Sequence, residues 1–170
     1  MKRRTLAAAT AALLMTSALG MSACSSELVA QSGSSSAQSA ANLDHERISS
    51  VLETVGGVMA TADASLNAAD LGDQVTKGAL EMRTAQYALA NANSQALPPL
   101  DFEPTSLAIT NSDSWPRAIF NISDTSSTTL PVLEVYVQDS ARSDYKLTNY
   151  ARLLGGTHLT LPSVGTGSAY

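Results

Sequence analysis

Leu133-Glu134-Val135-Tyr136-Val137-Gln138 alternates aliphatic side chains with polar or aromatic ones at a period of two. That is the repeat of a strand with one face buried. Leu133, Val135 and Val137 read as the buried set, and Glu134, Tyr136 and Gln138 as the outward set. The same period continues on both sides. Ala118, Phe120 and Ile122 alternate upstream. Downstream, Tyr145, Leu147, Ala151 and Leu153 alternate with Lys146, Thr148, Tyr150 and Arg152. Leu107-Ala108-Ile109 is a short apolar run ahead of them. The polar connections at 124–129 and 139–144 have hairpin length. Three or four antiparallel strands in a meander follow. Tyr136, Tyr150 and Arg152 are expected on the outward face.

Before residue 98 the period is helical. Ile48, Val51, Leu52, Val55, Val58, Met59 and Ala62 recur at the spacing of one helix face. Asn42 or Asp44 can cap its start. Gly56-Gly57 costs about 1 kcal/mol per glycine there, and permits close packing, a bend or a break. A second helical stretch covers 68–92, with Val75, Ala79, Leu80 and Tyr87 as its apolar stripe. Gly72 and Gly78 divide it into a short helix and a longer one. Asp70 and Asp73, three apart, would share a face. Pro98-Pro99 closes the helical region. Helices first and strands after them define an α+β domain over 43–170, with helices packed on an antiparallel meander. That order is similar to cystatin-like and nuclear-transport-factor-like folds, an analogy that carries no function.

The chain has 170 residues, and 44% of them are hydrophobic but only 5% aromatic. One domain fits that length, with a core built mainly of Ala, Val, Leu and Ile. A single cysteine excludes an intrachain disulfide and any Cys-rich metal site. His45 and His158 are the only histidines. His45 is expected on a helix surface and His158 in a solvent-facing loop. No metal and no cofactor are expected.

The N-terminus reads as an export signal. Met1-Lys2-Arg3-Arg4 is positive, residues 5–23 carry no charge, and Met21-Ser22-Ala23 puts small residues before Cys24. This resembles the lipobox of bacterial lipoproteins, with Met21 where Leu is usual. The resemblance implies cleavage between Ala23 and Cys24 and a diacylglyceryl thioether on Cys24. At about 0.8 kcal/mol per buried CH₂, two acyl chains give stable anchoring. An uncleaved signal anchor and a free thiol after conventional cleavage are the alternatives.

Cleavage would leave residues 24–170, with 7 basic against 15 acidic side chains once Lys2, Arg3 and Arg4 are gone. So acidic a chain repels phosphate backbones, and nucleic acid is not an expected partner. Residues 25–41 form a Ser/Ala/Gln-rich stretch with little to bury. The expectation is a lipidated Cys24 followed by a flexible linker to residue 42, reaching about 20–25 Å. The protein would then sit on the extracytoplasmic face of the cell membrane, held by its acyl group.

Asp73-Gln74-Val75-Thr76-Lys77-Gly78-Ala79-Leu80-Glu81-Met82-Arg83 with Tyr87 resembles a helix in lipoproteins of actinobacteria. Trp115-Pro116-Arg117, Leu133 to Gln138, Ala141-Arg142, Tyr145-Lys146-Leu147 and Leu153-Leu154-Gly155-Gly156 carry the same resemblance, which covers Ile48 to Tyr170. That family is a domain of unknown function. It implies no substrate and no catalytic residue. Its members are about twice this long, so the resemblance implies a truncated member.

Catalytic motifs are missing from the sequence. There is no Gly-x-Ser-x-Gly elbow and no phosphate-cradling loop. Gly155-Gly156 reads as a turn, and Asp139 and Asp144 as turn residues. Asn121-Ile122-Ser123 matches a glycosylation sequon by coincidence. Trp115-Pro116-Arg117 is the most informative tripeptide. A Trp beside an Arg can form a ligand wall or a partner hot spot, and can equally close a core edge where a strand starts. Trp115, Arg117 and Tyr136 are therefore the candidate binding residues. The sequence points to a binding or structural protein of the cell envelope, with no enzymatic activity. Its partner would be an envelope protein or a small ligand. The alternative is a domain capturing a small molecule or glycan; a hydrolase or transferase comes third.

Overall fold

Asp44 accepts a hydrogen bond from the Arg47 amide (2.8 Å) and so opens α1, His45–Ser65. The structure is a computed structural model, and it describes residues 43–123, 130–157 and 159–168. The leader, Cys24, the linker with Asn42, the 124–129 connection and His158 lie outside the described residues. Ile48, Leu52, Val55, Met59 and Ala62 form the buried stripe of α1. Leu66, with φ of 50°, ends the helix.

The two glycines of α1 have different reasons. A Cβ on Gly56 would stand 3.2 Å from the Phe102 side chain, so the helix packs closely there. Gly57 is exposed, and a Cβ on it would meet nothing within 4 Å. Gly57→Ala is therefore expected to raise stability by up to about 1 kcal/mol. Gly56→Ala should gain less, because Phe102 must shift. Urea midpoints of the two variants check this; equal gains would contradict it.

A 3-10 turn, Ala68–Leu71, precedes α2, Lys77–Asn93, as the two-part helical stretch predicts. Asp70 and Asp73 do not share a helix face. The 3-10 turn stops at Leu71, Gly72 reverses the backbone at φ of 53°, and Asp70 instead accepts a hydrogen bond from the Ser65 hydroxyl (2.6 Å). Gly78 lets α2 press on the sheet, where a Cβ would lie 2.6 Å from Asn149 Oδ1.

Four strands follow: β1 (Ser106–Ile109), β2 (Arg117–Ser123), β3 (Val132–Gln138) and β4 (Lys146–Arg152). Every neighbour pairs antiparallel in the order β1-β2-β3-β4. The α+β meander is thus the observed fold. Ile109, Ile119, Tyr136 and Leu147 align across all four strands, and they join the helix stripes in one core.

The faces of β2 and β3 are the reverse of the expectation. Ile119, Asn121 and Ser123 of β2 and Val132, Glu134 and Tyr136 of β3 form the buried face, from which Ile119, Val132 and Tyr136 join the helix stripes in one core. Phe120, Ile122, Leu133, Val135 and Val137 form the opposite face, where they are half-buried. A period of two divides a strand into two sets but does not say which set meets the helices. Here both sets carry large apolar or aromatic groups, and the set that also carries polar atoms finds hydrogen-bond partners inside.

β4 is inverted only in part. Val135 faces Asn149 while Tyr136 faces Leu147, so Thr148 is an extra residue. Tyr145 and Leu147 point inward as expected. Beyond the bulge Tyr150 is also buried, and Ala151 is exposed. Both sheet edges are occupied at one point. Leu147 exchanges backbone bonds with Gln74 and Thr76 (2.9 Å each), and Ser168 donates to Ile109 (2.7 Å).

Candidate functional site

Trp115 and Pro116 join through a cis peptide just before β2, and Arg117 is the first residue of the strand. The Arg117 guanidinium carbon lies 4.2 Å from the centre of the Trp115 ring. That is a stacked cation–π pair. Together they form one wall of an open groove of about 580 Å³. Arg47, Val51 and Thr54 of α1 form the facing wall. The β3–β4 connection contributes Asp144 and Tyr145, and Gln138 closes the end of β3. The volume is in the range of small-molecule sites.

Arg117 has no hydrogen-bond or ion-pair partner among the described residues, and its Nε is sealed from solvent without an acceptor. A buried donor left unmet costs about 1–3 kcal/mol. Tyr145 beside it is buried. Burial pushes its hydroxyl pKa up, and the Arg117 charge pulls partly the other way. Arg47 is turned to Asp44 at 3.8 Å, and its side chain is 74% exposed. A surface pair of that kind contributes little.

Arg83 shows what a structural arginine looks like in the same fold. It is completely buried, yet each of its three nitrogens is met. Nε donates to Asp63 Oδ1 (2.8 Å), and Nη2 pairs with Asp63 Oδ2. Nη1 donates to Gln86 Oε1 (2.8 Å) and to the Pro98 carbonyl (3.1 Å). The Tyr87 hydroxyl donates to Asp63 (2.6 Å) and that of Tyr150 to Gln86 (3.1 Å). Burial alone would lower the Arg83 pKa, but the Asp63 contact outweighs it and raises it. Tyr87 is also held well above its ordinary value, first by burial and then by Asp63.

A third polar cluster lies on the inner face of the sheet. Glu134 Oε2 accepts from the Tyr136 hydroxyl (2.8 Å) and from Asn121 Nδ2 (3.0 Å). Asn121 also donates to the Glu103 carbonyl (3.2 Å). Glu134 Oε1 and Asn121 Oδ1 are buried and unmet. Both are acceptors, so the cluster holds no donor for either of them. Burial pushes the Glu134 carboxyl up to about 7, its two hydrogen bonds hold it down in part, and Asp101 adds a small push upward. Tyr136 is held well above its ordinary pKa by burial and by Glu134.

The structure therefore brings Trp115 and Arg117 together and separates Tyr136 from them. Tyr136 is fully buried, with its hydroxyl on Glu134, and cannot touch a ligand on the outward face. Asn121 is likewise buried, out of reach of glycosylation. Ala23 and Cys24 lie outside the described residues. Arg47, Val51, Thr54 and Tyr145 were not legible as groove residues, because three elements distant in sequence assemble them. Among the described residues no three His, Cys, Asp or Glu side chains converge as a metal site would require.

No protein-family model, no curated protein and no solved structure matches this chain.

Proposed function

We propose that this chain is a lipid-anchored, extracytoplasmic binding protein that captures a small ligand in the Trp115–Arg117 groove. One observation carries the binding half of the proposal. A guanidinium is stacked on Trp115, lacks a hydrogen-bond or ion-pair partner among the described residues, and borders a groove of ligand size. The leader, the small residues before Cys24 and the Ser/Ala/Gln-rich stretch after it support the anchor. The role is binding rather than catalysis, and the acidic balance disfavours nucleic acid as the ligand.

A second reading, an envelope protein as partner, is favoured by the apolar outer sheet face of Phe120, Ile122, Leu133, Val135 and Val137.

The test uses the chain produced in cells with its own leader. Fatty-acid label should enter the wild-type protein and be lost in Cys24→Ser; retained label removes the anchor. Organic extracts of the purified wild-type chain should contain a compound that is missing from Trp115→Ala. Identical extracts would remove the groove as the functional site.

A further inference from the structure

We infer that the groove takes a monoanionic carboxylate carried on a small apolar body, with Arg117 as the anion-binding residue. This rests on the groove being a binding site, and it adds the ligand's class. The contrast between Arg83 and Arg117 is the starting point. Arg83 has a carboxylate, an amide and a carbonyl around it. Among the described residues Arg117 has none of these, although it belongs to a strand and is held by an aromatic ring. A guanidinium lying over an indole covers a face, and with Nε sealed it keeps the Nη1–Nη2 edge for planar acceptors. The planar group that matches a guanidinium edge with two parallel bonds is a carboxylate.

Charge decides between a carboxylate and a phosphate. Asp144 lines the same groove, and Arg47, the other cation there, is already turned to Asp44. The chain carries 15 acidic against 10 basic residues. Asp144 already offsets part of the Arg117 charge, so the lining accepts one further negative charge more readily than two. A phosphate carries about −1.5 to −2 near neutral pH and would meet net repulsion. The remainder of the lining sets the body of the ligand. Val51, Leu43 and Tyr145 give an apolar patch beside the guanidinium.

The chain has a single tryptophan, so the indole N–H resonance of Trp115 reports this groove alone. The mature chain from residue 24, kept in solution by Cys24→Ser, is titrated with cyclohexanecarboxylate, with its neutral isostere cyclohexanecarboxamide, and with inorganic phosphate. The carboxylate should shift the resonance saturably. The amide and phosphate should bind at least ten-fold more weakly, and Arg117→Gln should erase the preference for acid over amide. The comparison of acid with amide needs no variant, so it stands even if Arg117→Gln fails to fold. Equal affinity for acid and amide, or tighter binding of phosphate, overturns the carboxylate assignment and leaves the groove as a binding site. A resonance that moves with none of the three overturns both the assignment and the site it rests on.

Discussion

Asp63→Ala should cost the folded chain about 3 kcal/mol, and the urea midpoint should fall accordingly. The variant removes the carboxylate that pairs with Arg83 and leaves that guanidinium buried between α1, α2 and the Pro98 carbonyl. Stranding a buried charge costs about 3–5 kcal/mol. The lower end applies because the Asp63 side chain is 28% exposed, so water reaches part of the gap. The Tyr87 hydroxyl loses its acceptor in the same step. Asp63→Asn keeps one acceptor oxygen but strands the same charge and turns an NH₂ group toward an Arg83 or Tyr87 donor, so it should cost a comparable amount. A loss below about 1 kcal/mol in Asp63→Ala would mean that the Arg83 network contributes little to holding α1 on α2.

Glu134→Gln should make the fold more stable at pH 8 and remove a pH dependence that the wild type shows. The folded Glu134 carboxyl is pushed up to about 7 from its ordinary 4.5. Its stabilising contribution is therefore complete below about pH 4.5 and is lost as pH rises through about 7. A shift of that size corresponds to about 3 kcal/mol across the window. The amide that the substitution introduces is neutral at every pH. Its carbonyl can accept from Tyr136 and Asn121, and its NH₂ group can donate to the unmet Asn121 oxygen. Urea midpoints of the two proteins between pH 4.5 and 8 should converge at the acid end, separate as pH rises from about 4.5 to about 7, and stay apart above it. Parallel profiles would show that Glu134 does not titrate in this window.

The two experiments probe opposite solutions to one problem. Arg83 keeps its charge in the core because a carboxylate, an amide and a carbonyl surround it. Glu134 has only two neutral donors on one oxygen, so burial favours its neutral form. Arg117 is only half-buried, and its lack of a hydrogen-bond or ion-pair partner among the described residues is why we propose a ligand for the groove.

Much of the fold was legible because it rests on local periodicity. The apolar stripe from Ile48 to Ala62, a cap at Asn42 or Asp44 and the shift to a period of two near residue 107 needed no tertiary information, and the structure selects Asp44. The division of the second helical region at Gly72 was legible for the same reason. The candidate site was legible only in part. Trp115-Pro116-Arg117 stood out as a tripeptide, and two of its residues line the groove. Tyr136 lies on the face opposite to the one its alternation suggests, because aromatic residues sit equally well on either side of a strand. Asp63 and Arg83 are 20 residues apart, and no local pattern links them.

By itself the sequence determined the class of the domain, helices followed by an antiparallel meander, because hydrophobic spacing sets helix and strand directly. Only the tertiary structure decided which face of β2 and β3 meets the helices. Sheet alternation has two equivalent phases, and the choice depends on groups outside the sheet, such as the Glu103 carbonyl that meets Asn121 and the helix residue Gln86 that meets Tyr150. The groove was decided there too, since Trp115, Arg117 and α1 become neighbours only when the chain closes on itself.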